Sequence, residues 1–341
     1  LELLPGGKIL NPIGTPNSLA IYLVIPLLLA ASLTVVGCRH QMCVLGGERS
    51  RWAKIALWIS MGIFVGVLIL ADYWVAWTAL LFGTTLLVGI SLARARRIHH
   101  SLQFVVPLVL AAFSAIFLLI KTPIALNLPS EVSPSLLLSW NVSRSALQAH
   151  PIFGTGPGTW VLDYAKYRLP TVNLTPFWSV RFDRGISTFM TLLATLGLTG
   201  TALWIVVVAS GIAKSARHLL AERDDDLWQA YLTVFVAWAT LIFVAFFYNY
   251  TFAFHFAFWF LLGLLVSLIA KQTITWNPRA SVVMTSIFSL IFLGVLVGSV
   301  SILWLVGQRL VAEGYFSKAL RIHRAGTAVE QPLELIKTAA T

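Results

Sequence analysis

The stretch that decides the fold is YWVAWTALLFGTTLLVGISLA, which occupies residues 73–93. It contains no charged side chain, and its length matches the roughly 20 mostly apolar residues that cross the hydrocarbon core of a bilayer. Lipid offers no partner to a backbone amide, so such a segment must bond its amides internally, as a helix does. The stretch therefore predicts a transmembrane helix.

Similar apolar runs occur along the rest of the chain. They cover residues 18–37, 55–70, 102–120, 186–210, 229–247, 252–270 and 281–306. The composition agrees, because 11% of the residues are charged and the mean hydropathy is +0.84, whereas soluble domains contain roughly 25% charged residues. We expect an all-α, polytopic protein of the lipid bilayer. The net charge of +11 does not indicate nucleic acid, because most basic residues sit in clusters between the apolar runs.

These basic clusters predict the orientation, since cytoplasmic loops of membrane proteins are rich in lysine and arginine. The loops after the first, third, fifth and seventh predicted helices carry Arg39, Arg49, Arg51, Lys54, Arg94, Arg96, Arg97, Lys214, Arg217, Arg223, Lys271 and Arg279. The turns at Asp72 and at residues 248–250 carry none. Residues 1–120 and 186–306 thus form two sets of four helices, and the long polar loop 121–185 between them is predicted to face outward.

The ends of the chain and its cysteines carry weaker signals. Residues 307–341 contain apolar positions at helical spacing, which predicts an amphipathic outer helix or the first half-repeat of a tetratricopeptide array. The chain begins at Leu1 and ends within a helical pattern, so we expect a piece of a longer protein. Cys38 and Cys43 share a loop with His40, which is too few ligands for a metal site, and we interpret them as ordinary thiols.

The long loop is rich in aromatic residues and begins with a predicted helix over residues 134–150. Trp140, Arg144 and Leu147 fall at i, i+4 and i+7, on one helical face. This spacing places Arg144 on the packed side of the helix. The dipeptide His150-Pro151 ends the helix, because a residue before proline disfavours the helical backbone.

A glycine-rich turn and two further arginines follow. Gly154, Gly156 and Gly158 permit backbone turns closed to other residues, and their amides can approach an anion. Arg181 and Arg184 lie three residues apart and project on one side if that turn is helical. Because arginine grips phosphate with two parallel hydrogen bonds, the loop is predicted to bind a membrane-embedded diphosphate lipid. The alternative is that the arginines bind anionic headgroups or pair with Asp163 and Asp183.

The glycine-rich turn is part of a longer pattern. The pattern runs from Arg144 through His150-Pro151-Ile152-Phe153-Gly154-Thr155-Gly156-Pro157-Gly158-Thr159-Trp160 and resumes at Ala194-Thr195-Leu196-Gly197-Leu198-Thr199-Gly200. It resembles the O-antigen ligase and O-antigen polymerase superfamily, in which an arginine-bearing segment leads to a P-x-x-G-x-G-x-G-x-aromatic turn. A following transmembrane helix of that family carries G-x-x-G near its middle. The likeness spans about residues 141–200.

The resemblance implies the fold of the C-type integral-membrane glycosyltransferases. It implies transfer of a glycan from an undecaprenyl-diphosphate carrier to a lipid, protein or growing-polymer acceptor. The reaction would take place on the outer face of a bacterial cytoplasmic membrane, without cofactor, nucleotide sugar or metal. Diphosphate binding carries over to Arg144 and, through their place in the equivalent stretch, to Arg181 and Arg184.

The sequence departs from the family at one point. Many members have a His-Asn pair at the outer start of the helix that contains the two glycines, and Ile186 and Ser187 stand there in this chain. Asp183 or His150 is therefore predicted as the base toward the acceptor hydroxyl. Two alternatives stay open: a polymerase of the same superfamily, and a non-catalytic membrane anchor or transporter.

Overall fold

The computed structural model describes residues 13–35, 48–94, 104–120, 131–222, 224–269 and 282–324. Predictions that concern Arg39, Cys38, His40, Cys43, Arg96, Arg97, Arg223, Lys271 and Arg279 lie outside these residues. The chain divides into two units, residues 13–271 and a second unit that comprises residues 1–12 and 272–341. All regular structure in the described ranges is helical.

The first unit contains nine of the α-helices that the structure describes, and the second contains α10. They are α1 Pro16–Val35, α2 Glu48–Ala71, α3 Trp74–Arg94, α4 Val105–Leu119, α5 Leu136–Ala149, α6 Trp160–Tyr167, α7 Thr188–Ala221, α8 Asp225–Phe247, α9 Phe252–Ile269 and α10 Val282–Arg324. A short 3-10 helix covers Pro170–Leu174.

The predicted polytopic helical architecture is confirmed. Seven described helices are long and apolar enough to cross a membrane, namely α1, α2, α3, α7, α8, α9 and α10. The eighth predicted segment corresponds to α4, which is apolar but has 15 residues. At 1.5 Å per residue α4 extends about 22 Å, less than the roughly 30 Å of a hydrocarbon core.

The core of the first unit is built around α1, α3 and α8, whose fully buried side chains include Leu28, Trp77 and Trp238. Between α1 and α8, Ser32 donates a hydrogen bond of 2.7 Å to Thr233. Gly83 of α3 faces Leu28 so closely that an added Cβ would lie 2.3 Å from a leucine methyl group. Small residues of this kind let helix backbones approach in a membrane, where apolar burial does not drive helices together.

One end of the nine-helix unit, here called the loop end, gathers the start of α1, the α2–α3 turn, the α8–α9 turn and the start of α7. The rings of Tyr73 and Tyr248 lie 6.1 Å apart, and the amide of Thr188 donates to the carbonyl of Tyr248 over 3.2 Å. At the opposite end, Arg94 pairs with Asp225 at 2.7 Å. The structure thus separates the two turns without basic residues from the basic ends of α3 and α7, as the sequence predicts.

The long loop forms a second, smaller core at the loop end. Its buried members are Leu138, Val142, Ala146, Trp160, Tyr164 and Ala194. The first five come from α5 and α6, and Ala194 comes from the first turns of α7. The beginning of α7 therefore belongs to the packing of the loop.

The described part of the second unit is α10, a single helix of 43 residues. Residues 282–306 of the predicted transmembrane segment and residues 307–324 of the predicted amphipathic tail are continuous in it. At 1.5 Å per residue it extends about 65 Å, roughly twice the thickness of a hydrocarbon core. The tetratricopeptide interpretation of the tail stays a prediction.

Candidate functional site

A backbone interlock joins the glycine-rich turn to α7. The helix is broken at Gly197, whose φ of 64° and ψ of −161° are not helical. Carbonyl groups freed by the break accept from the turn: the amides of Thr155 and Gly156 donate to Ala194 and Thr195 at 3.1 and 2.9 Å. In the other direction, the amides of Leu198 and Thr199 donate to the carbonyls of Pro151 and Ile152 at 3.0 and 3.1 Å.

The interlock depends on glycine at two contacting positions. A Cβ added to Gly154 would lie 2.5 Å from the amide nitrogen of Gly197, and one added to Gly197 would lie 2.4 Å from that of Gly154. Gly154, Gly156 and Gly158 all have positive φ, as predicted from their permissive backbone. The amides of Gly154 and Gly156, however, donate to the carbonyls of His150 and Thr195. The prediction that these amides approach an anion is therefore wrong for both.

The helix α5 presents a different face to the protein than predicted. Its buried residues are Leu138, Ser139, Val142, Ser143 and Ala146, whereas Trp140 and Arg144 are exposed. Ser139 accepts a hydrogen bond from the amide of Ile186 at 3.0 Å, and Ser143 donates to the carbonyl of Met190 at 2.9 Å. The packed placement of Arg144 is thus wrong, because α7 approaches the small serine and alanine face.

The end of α5 carries His150, which is exposed and follows the last helical residue, Ala149. The predicted termination at His150-Pro151 is confirmed. His150 lies close enough for its protonated form to act on Asp163, a carboxylate that is 4% exposed. Thr155 donates to Asp163 at 2.6 Å and Thr159 at 3.5 Å. Burial raises the pKa of Asp163, and these hydrogen bonds and the charge of His150 oppose that rise.

The predicted base and one predicted diphosphate ligand are bound to each other. Arg184 donates from Nε to Oδ1 of Asp183 at 3.0 Å and from a terminal nitrogen to Oδ2 at 2.6 Å. These hydrogen bonds lower the pKa of Asp183, which makes its carboxylate a weak base while the pair persists. Residues 179–187 are not helical, so Arg181, which is exposed, does not share a helical face with Arg184.

A carboxylate that the sequence interpretation did not single out, Glu131, ties the loop to the loop end of the bundle. It accepts from Thr15 at 2.8 Å and from the hydroxyl of Tyr248 at 2.9 and 3.0 Å. Burial raises the pKa of Tyr248 and raises that of Tyr73 to about 12, so both phenols stay protonated. Glu131 also lies close enough to act on the charge of Arg184. In the sequence, Glu131 was recognisable only as an isolated carboxylate in the segment before α5.

The start of α7, where the family's His-Asn pair would stand, serves packing and capping. The buried Ser187 accepts a hydrogen bond from the amide of Met190 at 3.2 Å and caps the helix. Asn249, from the α8–α9 turn, donates to the hydroxyl of Thr191 at 2.7 Å. Among the described residues, the acid–base groups near the site include Asp163, Asp183, Glu131 and His150.

The structure brings two of the predicted site residues into direct contact. Arg184 lies beside Asp183 and within the field of Glu131. Arg144 and Arg181 are exposed and make no hydrogen bond or ion pair with other residues of the described ranges. Those ranges also contain no group of three or more His, Cys, Asp or Glu residues that could hold a metal ion.

Comparison with known proteins returns no match among protein-family models, curated proteins or solved structures. The membership in the O-antigen ligase superfamily that the motif suggests therefore stays a prediction.

Proposed function

We propose that the chain is a bacterial integral-membrane glycosyltransferase that moves a glycan from an undecaprenyl-diphosphate carrier to an acceptor at the loop end. The observation that carries the proposal is the interlock of Gly154 with Gly197. The two halves of the motif that resembles the O-antigen ligases are far apart in sequence, and their direct contact gives a physical reason for their joint occurrence. A polymerase of that superfamily would use the same chemistry and differ in its acceptor.

In this proposal Arg184 is the principal diphosphate ligand. Its pair with Asp183 has side chains 45% and 63% exposed, and such surface pairs contribute about 0–1 kcal/mol. Each hydrogen bond from a guanidinium to a diphosphate oxygen contributes about 1.5–3 kcal/mol. The diphosphate therefore displaces Asp183 from Arg184. The exposed Arg144 and Arg181 supply further positive charge to the remaining oxygens.

Substrate binding then creates the base. Once Arg184 holds the diphosphate, the pKa of Asp183 returns toward its ordinary value, because the hydrogen bonds that lowered it are gone. Asp183 takes the proton of the acceptor hydroxyl, whose oxygen bonds to the anomeric carbon of the glycan. The bond from that carbon to the diphosphate breaks, and the diphosphate leaves with the electron pair. The arginines stabilise the charge that develops on it.

The positive-inside rule supports the proposed place of the reaction. The basic ends of α3 and α7 face the cytoplasm under the positive-inside rule, so the loop end would face outward from the cytoplasmic membrane. The carrier's polyprenyl chain stays in the bilayer while its diphosphate reaches the loop. His150, exposed at the end of α5, is the second candidate for the base.

A transfer assay in vesicles that contain the lipid-linked glycan tests the proposal. Arg184→Gln should weaken carrier binding by about tenfold or more, as the loss of one charged hydrogen bond requires. Asp183→Asn should retain binding and slow transfer by about 100-fold or more, and Arg144→Ala should also lose product. The control is Arg217→Gln, an exposed arginine near the opposite end. Undiminished transfer by the Arg184 variant would refute the proposal.

A further inference from the structure

A cavity of about 750 Å³ lies at the opposite end of the nine-helix unit, away from the proposed glycan site. It is bounded by the last turns of α3 and α7 and by the first turns of α8. Most of its lining is apolar and includes Ile90, Leu219 and Phe235. Its volume falls within the roughly 300–1,000 Å³ of sites that bind organic molecules.

A largely buried guanidinium belongs to the lining. The side chain of Arg94 is 17% exposed and forms an ion pair with Asp225 at 2.7 Å. The side chain of Asp225 is 71% exposed. The guanidinium lies 4.5 Å from the ring centre of Trp228, an arrangement that holds arginine in place by cation–π attraction. With five donors in a planar fork, Arg94 can bind a phosphate while it retains Asp225.

A carboxylate lines the same cavity. Glu222 follows the last residue of α7, and its side chain is 18% exposed. It lies 3.7 Å from His218 and accepts a hydrogen bond from the amide of Asp224 at 3.0 Å. The described residues of the lining thus combine one guanidinium, one carboxylate and an apolar wall, so they match a ligand with a phosphate, an ammonium group and a hydrocarbon chain.

The depth of the cavity also fits a lipid. Arg94 is the last residue of one membrane-spanning helix, and the span in α8 begins at Leu227. The indole of Trp228 is 2% exposed and donates to the carbonyl of Leu219 at 3.0 Å. Tryptophan and arginine at the end of a span are typical of headgroup depth, and pockets between helices at this level bind lipid headgroups.

We propose that this cavity binds one phospholipid of the phosphatidylethanolamine type, with its phosphate on Arg94 and its ammonium on Glu222. One acyl chain lies along Leu219, Leu220 and Phe235, which line the cavity. An anionic phospholipid without an amine would place its negative charge next to the carboxylate of Glu222, and like charges repel. The charges of the lining therefore favour the zwitterionic lipid. This inference does not depend on the glycosyltransferase proposal.

Native mass spectrometry of the purified full chain, with phosphatidylethanolamine or phosphatidylglycerol added in detergent, tests this inference. The expected result is one tightly bound phosphatidylethanolamine. Arg94→Gln should weaken binding by about tenfold or more, and Ala216→Trp, which fills the cavity from α7, should abolish it. Glu222→Gln should remove the preference for phosphatidylethanolamine over phosphatidylglycerol. The affinity for phosphatidylglycerol should stay the same or increase.

Asp225→Asn is the matched control, because it breaks the ion pair of Arg94 and leaves the guanidinium in the cavity. It should retain phosphatidylethanolamine. Loss of binding in this control as well would assign Arg94 a structural role and overturn the proposal. Equal binding by the wild type and the Ala216→Trp chain, or stronger wild-type binding of phosphatidylglycerol, would also overturn it.

Discussion

The substitution Gly197→Ala attacks the interlock directly. At φ 64° and ψ −161° the backbone lies in a region that glycine alone occupies readily, and another residue pays about 1–3 kcal/mol there. The new Cβ would also lie 2.4 Å from the amide nitrogen of Gly154 and 2.6 Å from the carbonyl oxygen of Ile152. Both obstacles are backbone atoms, so the turn has to withdraw from α7.

When the turn withdraws from α7, the hydrogen bonds of the interlock break. The four amides of Thr155, Gly156, Leu198 and Thr199 lose their carbonyl partners, and each such bond contributes about 0.5–1.5 kcal/mol. Together with residual strain, the interlock should be destabilised by about 3 kcal/mol or more. At 1.4 kcal/mol per factor of ten, hydrogen exchange of these amides should accelerate by about 100-fold.

Hydrogen-exchange mass spectrometry in detergent measures this effect on peptides that cover residues 151–160 and 194–200. Two control substitutions separate the effect of the clash from the effects of backbone strain and of replacing a glycine. Gly158 has φ of 76° and an added Cβ would meet nothing within 4 Å, so Gly158→Ala adds about 1–2 kcal/mol of strain without a clash. Gly263 lies within α9 with open space around it, so Gly263→Ala should be neutral or stabilising. Equal acceleration by Gly197→Ala and Gly158→Ala would refute the interlock.

Two further substitutions test the polar contacts of the loop. Because the folded pKa of Asp163 is raised above 3.8, its ionisation opposes folding, and stability should fall as the pH rises above that value. The substitution Asp163→Asn removes this pH dependence, and the new amide oxygen can still accept the hydrogen bond from Thr155. The melting temperature of this variant should therefore exceed that of the wild type by more at pH 7 than at pH 3.5. Tyr248→Phe removes the charged hydrogen bond to Glu131, at a cost of about 1.5–3 kcal/mol. A lower melting temperature and faster exchange at residues 131–135 should follow, and an unchanged melting temperature would contradict this assignment.

The helices and their order could be predicted from the sequence, because a membrane imposes one dominant requirement on the backbone. A segment such as residues 73–93 has to be helical whatever its neighbours are. The turn at Asp72 was equally predictable, since a charge at the end of two apolar runs has to reach water. Its φ of 40° is tolerated by aspartate better than by most residues.

The face of α5 could not be predicted in the same way. Hydrophobic spacing selected Trp140 and Leu147, but the face that packs is lined by Ser139, Ser143 and Ala146. These small residues admit the backbone of α7, and their hydroxyls bond to it. Whether a serine is exposed or packed depends on a partner helix, which the local sequence does not contain. The prediction that Arg144 is packed depended on the choice of the face with Trp140 and Leu147, and it was wrong for the same reason.

The break in α7 has a further consequence for the site. Residues 198–221, which follow Gly197 in the helix, extend about 35 Å at 1.5 Å per residue, enough to cross a bilayer alone. The turns before the break are therefore not needed for the crossing, and they pack with Trp160 and Tyr164 instead. Asp183 and Arg184 come directly before those turns. Their position is thus fixed by the loop core and by the interlock. Under the proposed function, a variant that opens the interlock should therefore impair carrier binding even though it leaves both side chains in place.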